Sequence, residues 1–232
     1  MSVLSRSSVE SNLRSYRMVI FDWDGTLMDS LPKIVHSMTE AARQQGLHAL
    51  AEKDVHEIIG LELGEAISVL YPELSSESIE EMRGRYSAHY IQSEQIQSRL
   101  YPGVERMLAQ LSNRSILSIA TGKSRRGLDR VLGALKVGGY FASSRCADET
   151  RPKPNPDMVT ELLELHQVSP AQAVVIGDTE FDMEMARRAG VDRVGVSWGA
   201  HHVDRLKRHD PQQCVDSVGA LAEWLLNRTV IA

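Results

Sequence analysis

The chain has 232 residues, of which 42% are hydrophobic and 25% are charged, and its formal net charge is -5. This length allows one or two domains with a substantial buried core. Basic residues are spread along the chain without forming a stripe, which argues against nucleic acid as the main partner. Since the longest apolar runs fall far short of the roughly 20 residues that cross a bilayer, no membrane partner is expected either.

The first 15 residues and the two cysteines bear on the compartment of the protein. Residues 1 to 15 are rich in serine and lack the apolar centre of a secretory signal, so we expect a flexible tail there. Cys146 and Cys214 lie far apart, without the paired spacing of a zinc site. Both are expected to be reduced thiols in a cytoplasmic protein, for which a monomer and a homodimer both remain open.

Short apolar runs alternate with segments of helical spacing along most of the chain. The runs cover residues 18 to 21, 115 to 120, 143 to 147, 173 to 176 and 193 to 196. Helical spacing follows over residues 127 to 135, 157 to 166, 181 to 189 and about 220 to 226. This rhythm predicts an α/β fold with a doubly wound, Rossmann-like parallel sheet.

A long insert separates the first two predicted strands. A connection in such a fold usually has only about 2 to 6 residues. From Leu31 onward, apolar residues recur at i, i+3, i+4 and i+7, and Asp29 and Ser30 precede this pattern as N-cap candidates. Further helices are predicted over residues 53 to 59, 63 to 70 and 76 to about 94. We therefore predict a small all-helical cap at residues 31 to 101, inserted into a core of residues 16 to 30 and 102 to 232.

Polar residues directly follow several predicted strands, where ligands bind in an open parallel sheet. They are Asp22 and Asp24 after the first strand, Thr121, Gly122 and Lys123 after the second, Lys153 in an Arg-Pro-Lys-Pro stretch, and Asp178, Thr179 and Asp182 after the fourth. Clustered carboxylates repel one another unless a cation lies among them. Mg²⁺ prefers oxygen ligands and commonly binds phosphate. The pattern therefore predicts Mg²⁺ held by Asp22, Asp178 and the main-chain carbonyl of Asp24.

Four motifs in this order resemble those of the haloacid dehalogenase superfamily of phosphatases. They are Asp-Trp-Asp-Gly-Thr-Leu-Met-Asp-Ser at residues 22 to 30, the turn at Thr121, Lys-Pro-Asn-Pro starting at Lys153, and Gly-Asp-Thr followed by Asp182. The resemblance covers nearly the whole chain. The helical insert between the first two motifs is similar to the cap of the phosphoglycolate phosphatase-like subgroup.

The resemblance implies a magnesium-dependent phosphatase that hydrolyses a small phosphorylated metabolite through an aspartyl phosphate. Asp22 would be the nucleophile, and Asp24 would protonate the leaving alcohol and later accept a proton from water. The implied phosphate-binding residues are Asp24, Gly25, Thr121, Gly122 and Lys153. Asp182 would orient Lys153 or a water from just outside the metal ligands. Leu61 and Glu62, in the cap, would contact the leaving group and set specificity.

Several of these residues also have plainer explanations. Asp-Gly-Thr is a common turn, and Thr179 with Asp182 fits a helix N-cap. Gly122 and Lys123 imitate the nucleotide-binding P-loop, but that loop requires glycine at position 117, where this chain has leucine. Lys123 is therefore expected at the rim of the site or on the surface.

Other functions compete with the phosphatase. A phosphosugar mutase of the β-phosphoglucomutase type would share the aspartyl phosphate, although Thr26 in place of valine favours the hydrolase. A dehalogenase or a phosphonoacetaldehyde hydrolase would not need the acid at Asp24. A non-catalytic binding protein on the same fold would not need the set Asp22, Asp24, Lys153 and Asp178. The physiological phosphate ester is not determined by the sequence.

Overall fold

The central strand of the structure, β1 (Met18–Phe21), is buried along its whole length. The structure is a computed structural model that describes residues 15–93, 96 and 98–229. β1 pairs in parallel with β4 (Ile116–Thr121) on one side and with β6 (Ala173–Gly177) on the other. A continuous apolar run of this kind is typical of a strand covered on both faces. The predicted tail lies outside the described residues except for Ser15.

Three more parallel strands complete a six-stranded sheet. They are β5 (Ser143–Cys146), β7 (Asp192–Val196) and β8 (Gln213–Val215). The strand order is β5-β4-β1-β6-β7-β8, and every neighbouring pair is parallel. The order reverses beside β1, where ligands bind in doubly wound folds. The structure confirms the predicted doubly wound α/β core.

Helices cover both faces of the sheet. Those on one face are α5 (Val104–Leu111), α6 (Arg125–Leu135) and α10 (Val218–Leu226). Those on the other are α7 (Asp157–His166) and α8 (Glu180–Arg188). Val19 and Phe21 of β1 pack into the first layer, whereas Met18 and Ile20 pack into the second. The alternating side chains of one strand thus join the two halves of the core.

Four helices between β1 and β4 form a hydrophobic cluster of their own. They are α1 (Leu31–Gln44), α2 (Glu52–His56), α3 (Leu63–Leu70) and α4 (Ser76–Gln92). Met38, Ile67, Tyr71 and Met82 are almost fully buried among them. The chain enters and leaves this cluster through β2 (Met28–Asp29) and β3 (Arg99–Leu100), which pair antiparallel. The exact bounds of the predicted cap, residues 31 and 101, stay a prediction.

Some elements were not predicted from the sequence. β2, β3 and β8 have only two or three residues, too few for a periodic pattern. α5 and α9 (Val203–Lys207) are short, and α5 follows directly on a Tyr-Pro-Gly turn. In the part of the chain that the structure describes, no helix combines the length and apolar character required to cross a bilayer.

We expect Ile67→Ala to lower the free energy of unfolding by about 2 to 5 kcal/mol, because it leaves a cavity in the packed cap cluster. Ile67 is fully buried in α3, whereas Val69 of the same helix is 58% exposed. Val69→Ala is the matched control and should change stability by less than about 0.5 kcal/mol. Urea unfolding measures both, and equal effects would contradict the packing described.

Candidate active site

Asp22 directly follows β1 and is buried at the carboxyl end of the sheet. Its backbone N–H donates to the carbonyl of Ile176, so the strand pairing fixes the main chain at this position. Lys153 Nζ lies 2.5 Å from Asp22 Oδ1 and 2.6 Å from Asp182 Oδ1. All three side chains are almost completely shielded from solvent. Lys153 therefore connects the predicted nucleophile to the start of α8.

Two further carboxylates lie beside Asp22. Oxygen atoms of Asp22, Asp178 and Asp182 lie within 4.8 Å of one another. Asp178, which follows β6, accepts hydrogen bonds of 2.7 Å from Thr26 Oγ1 and from the Ala200 N–H. The structure thus brings Asp182 into the acidic group, whereas the metal set predicted from the sequence was Asp22, Asp24 and Asp178.

Asp182 has two roles in the described structure. Its Oδ2 accepts hydrogen bonds from Thr179 N and Oγ1, at 3.0 and 2.6 Å, in a capping box at the start of α8. Its other oxygen contacts Lys153. Asp182 therefore caps α8 and contacts Lys153 at the same time, because each interaction uses a different carboxylate oxygen.

The acidic group carries more negative charge than Lys153 neutralises. Burial raises the pKa of Asp22. The charge of Lys153 opposes this shift, whereas the charges of Asp182 and Asp178 raise the pKa of Asp22 further. Burial and Asp182 likewise raise the pKa of Asp178 to about 7. Burial disfavours the charged form of Lys153, but Asp182 and Asp22 outweigh it and keep its pKa above the usual value. Buried oxygen donors with excess negative charge fit a hard divalent cation.

Two glycines allow the chain to pass close to Asp178. A Cβ atom added at Gly25 or at Gly199 would lie 2.2 Å from Asp178 Oδ2, so neither position has room for a side chain. Gly199 is a site residue that sequence reasoning missed, although a glycine in the loop after β7 was visible. Gly25 was predicted to bind phosphate, but its N–H donates to the carbonyl of Met28 at 2.9 Å.

The side chain of Asp24 faces away from the acidic group. Its two oxygens lie 3.0 and 2.8 Å from Lys123 Nζ, and Oδ1 also accepts a 2.6 Å hydrogen bond from Ser30 Oγ. The side chain of Lys123 is only 10% exposed, so the surface position considered for it is wrong. Ser30 occupies the N-cap of α1 but makes no side-chain cap bond, and its hydroxyl donates to Asp24.

Thr121 and Gly122 lie where the core meets the cap. Thr121 ends β4, and its hydroxyl accepts from the N–H of Lys123 at 3.2 Å. A Cβ atom at Gly122 would lie 2.7 Å from the carbonyl oxygens of Gly60 and Leu61. The cap loop therefore rests directly on the turn that was predicted to bind phosphate.

Glu62, a predicted specificity residue, makes contacts within the cap. Its Oε2 accepts hydrogen bonds from the N–H groups of Gly64 and Glu65, at 2.7 and 3.1 Å, as the N-cap of α3. Its Oε1 accepts a 2.6 Å bond from Arg83. These bonds fix the carboxylate, so a contact with the leaving group stays a prediction for both Leu61 and Glu62.

A cavity of about 420 Å³ lies between the cap helices and the core, in the size range of small-molecule sites. The predicted site residues that line it are Asp22, Asp24, Leu61, Glu62, Thr121 and Gly122. Side chains that were not predicted line it as well: Arg83, Tyr86, Tyr90, Lys123, Arg126 and Arg130. Lys153, Asp178 and Asp182 lie behind this lining, in contact with Asp22 or its neighbours.

We expect Gly199→Ala to weaken binding of a divalent cation by about 10- to 100-fold, since the new methyl group must displace Asp178. Isothermal titration with Mg²⁺ measures this loss. Gly219→Ala is the control, because no atom lies within 4 Å of the added Cβ. Unchanged affinity in the Gly199 variant would show that Asp178 does not hold the cation.

Asp178 should also make stability depend on pH in metal-free protein. The folded chain keeps its proton up to about pH 7, whereas an ordinary aspartate releases it near 3.8. Between these values the folded chain binds more protons, so its free energy of unfolding falls as pH rises, by up to about 1.4 kcal/mol per pH unit. Asp178→Asn removes this contribution. Denaturant unfolding measures the free energy of unfolding of both proteins across this pH interval. This free energy should fall more steeply with rising pH in the wild type than in the variant, and equal slopes would contradict the raised pKa of Asp178.

Comparisons with known proteins agree with this geometry. The sequence profile of the family described as haloacid dehalogenase-like hydrolase matches residues 19–196, more than half of the chain. The chain is 31% identical over 224 residues to a phosphoglycolate phosphatase of Vibrio cholerae, and the match covers 92% of this chain and 99% of the relative.

Two solved structures are similar over most of their length. A hydrolase from Pseudomonas syringae has 26% identity and a TM-score of 0.82, with 92% of this chain and 99% of that chain covered. A haloacid dehalogenase-like family hydrolase from Streptococcus pneumoniae has 26% identity and a TM-score of 0.78, with 90% and 98% covered. The chain therefore belongs to the haloacid dehalogenase-like hydrolase family, and it is a phosphatase.

Proposed function

We propose that this phosphatase is magnesium-dependent and hydrolyses a small phosphate monoester through a phosphorylated Asp22. The observation that carries the proposal is the position of Asp22. It lies at the end of the central strand, lines the cavity, and contacts Lys153 and the acidic group. A buried carboxylate next to an ammonium group and a place for a hard cation is suited to attack a phosphoryl group.

Asp22 attacks phosphorus in the first step. A bond forms between a carboxylate oxygen of Asp22 and phosphorus, while the bond from phosphorus to the alcohol oxygen breaks. Lys153 holds Oδ1 of Asp22 at 2.5 Å and offsets its charge as the phosphoryl group approaches. Thr121, the N–H groups around Gly122, and Lys153 are our candidates for binding the phosphoryl oxygens; Gly25 would contribute close approach of the main chain, since its own N–H donates to Met28.

Asp24 moves the protons. It lines the same cavity two residues after Asp22, and its carboxylate is held by Ser30 and Lys123. In the first step the protonated form of Asp24 gives its proton to the departing alcohol oxygen, which leaves Asp24 as a carboxylate. In the second step it accepts a proton from the water that hydrolyses the acyl phosphate, which returns Asp22 to its starting state.

Asp22, Asp178 and the main-chain carbonyl of Asp24 are the proposed ligands of Mg²⁺, and Asp182 supports them through Lys153. The two carboxylates belong to the buried group with excess negative charge. When bound, Mg²⁺ would offset negative charge on the attacking carboxylate and on the phosphoryl oxygens. Competition between Mg²⁺ and Ca²⁺ for binding would show whether these oxygen ligands are selective for Mg²⁺.

For the substrate we propose a phosphorylated metabolite like that of the phosphoglycolate phosphatases. The Vibrio cholerae relative carries that name and matches nearly the whole chain. We place the cap at residues 31 to 101, over a core of residues 16 to 30 and 102 to 232, with Leu61 and Glu62 facing the leaving group. The enzyme would work in the cytoplasm as a monomer or a homodimer.

Two alternatives share the fold. A β-phosphoglucomutase-like enzyme would return the phosphoryl group to a sugar, whereas a hydrolase releases inorganic phosphate. A non-catalytic binding protein would do neither. Release of phosphate from several small esters, dependent on a divalent cation, would separate the three.

We expect Asp22→Asn to lower kcat by at least about 10³-fold, because the amide is a poor nucleophile. Phosphate release from p-nitrophenyl phosphate with Mg²⁺ measures the rate. Acid quenching during turnover followed by peptide mass spectrometry should find a phosphoryl adduct on Asp22 in the wild type. Asp29→Asn is the control, since Asp29 is an exposed acid at the nearby strand β2. Full activity of the Asp22 variant, or no adduct at this residue, would refute the mechanism.

A further inference from the structure

Three cationic side chains surround the ring of Tyr90. Lys33 Nζ lies 5.1 Å from the ring centroid, Lys123 Nζ 4.9 Å and Arg130 Cζ 5.7 Å. Lys33 and Tyr90 belong to cap helices α1 and α4, whereas Lys123 and Arg130 belong to the core. The four side chains therefore meet only while the cap rests on the core.

The hydroxyl of Tyr90 is buried without a partner. Tyr90 is 6% exposed and lines the cavity, and its hydroxyl makes no hydrogen bond to any described residue. Buried polar groups are nearly always hydrogen-bonded, because an unsatisfied one costs free energy. This hydroxyl can donate to an oxygen of a bound ligand.

Of the three cations around the Tyr90 ring, only Lys123 has an anionic partner among the described residues, and that partner is Asp24. Lys33, Arg126 and Arg130 make no ion pair with any described residue, and Arg126 and Arg130 both line the cavity. Burial and the charges of Arg130 and Lys123 lower the pKa of Lys33. Among the acidic residues that line the cavity, Asp22 pairs with Lys153, Asp24 with Lys123, and Glu62 and Glu80 with Arg83. None of them forms a described ion pair with Lys33 or Arg130, so a ligand anion would balance the charge of these two side chains.

We propose that Lys33, Tyr90 and Arg130 form a subsite for a second anionic group, carried by the alcohol that leaves. The proposal rests on the proposed function, because Tyr90 and Arg130 line the same cavity; Lys33 lies outside the lining and reaches the subsite next to the Tyr90 ring. The preferred substrates are then phosphate monoesters with a second phosphate or a carboxylate. The cavity of about 420 Å³ has room for a leaving group of sugar size, which separates the two anionic groups by several bonds.

The position of Lys123 connects this subsite to the chemistry. Its Nζ contacts Asp24 at 2.8 Å and also lies over the Tyr90 ring. An anion bound by Lys33 and Tyr90 of the cap and by Arg130 of the core would hold the cap against the core next to Asp24. Substrates without the second group would lose this contribution and would show it chiefly as a higher KM.

Two matched pairs of substrates test the subsite. Fructose 1,6-bisphosphate is compared with fructose 1-phosphate, and 2-phosphoglycolate with 2-hydroxyethyl phosphate. The wild type should prefer the member with the second anion in at least one pair, by about tenfold or more in kcat/KM. The pair that shows the preference identifies the second group as a phosphate or as a carboxylate.

Variants then locate the preference. Lys33→Met, Tyr90→Phe and Arg130→Met should each reduce this preference, with less than about twofold change in kcat/KM for the member that lacks the second anionic group. Lys53→Met and Arg106→Met are matched controls on exposed residues outside the cavity lining and should retain it. Tyr90→Phe keeps the ring, so it tests the hydroxyl alone.

Three results would overturn the subsite. They are the absence of preference in both pairs, equal losses for both members of a pair in the variants, and a preference that the three variants leave intact. Each of these can occur while the wild type still hydrolyses p-nitrophenyl phosphate, in which case the proposed function stands. Loss of all turnover in the wild type would instead refute the proposed function.

Discussion

The interaction on which the site depends is the buried contact between Lys153 and the carboxylates at the end of the sheet. One ammonium group among Asp22, Asp178 and Asp182 leaves negative charge unbalanced in a place shielded from water. Such an arrangement costs free energy in the empty protein. It persists because β1, β6 and the capping box of α8 fix these side chains before any ligand arrives. The packing of the core therefore holds these carboxylates close together despite their repulsion, and a bound cation would reduce that repulsion.

A second charged pair, Asp24 with Lys123, organises the other half of the cavity. Ser30, at the start of the cap, also bonds Asp24, and Tyr90, near the end of the cap, lies under Lys123. The predicted acid thus contacts groups from the core, from the entrance of the insert and, through Lys123, from its last helix. This arrangement couples the proposed acid, Asp24, to the position of the cap, whereas Asp22 contacts Lys153 and the acidic group of the core.

The sequence was sufficient to predict five of the six strands of the sheet, whereas the site roles of the four motifs stay predictions. β1, β4 and β6 leave a nearly continuous apolar pattern, because they are buried on both faces; β5 and β7 were predicted as well, although the edge strand β5 is mostly polar and only partly buried. Lys123, Ser30, Tyr90 and Gly199 were not predicted as site residues. Lys123 and Asp24 are 99 positions apart, so the spacing of residues along the sequence cannot predict that their side chains meet. Gly199 matters because a side chain at this position would collide with Asp178, and the sequence does not show that the two residues are neighbours.

The short antiparallel ladder of β2 and β3 has a consequence for the evolution of this family. The insert leaves and rejoins the core at two residues that face each other, Met28 and Leu100. A neck of this kind allows one helical module to be exchanged for another without altering the register of the parallel strands. Transplanting the module from a relative at this neck would replace Ser30 and Tyr90, which contact Asp24 and Lys123, and would leave Asp22, Lys153, Asp178 and Asp182 in place.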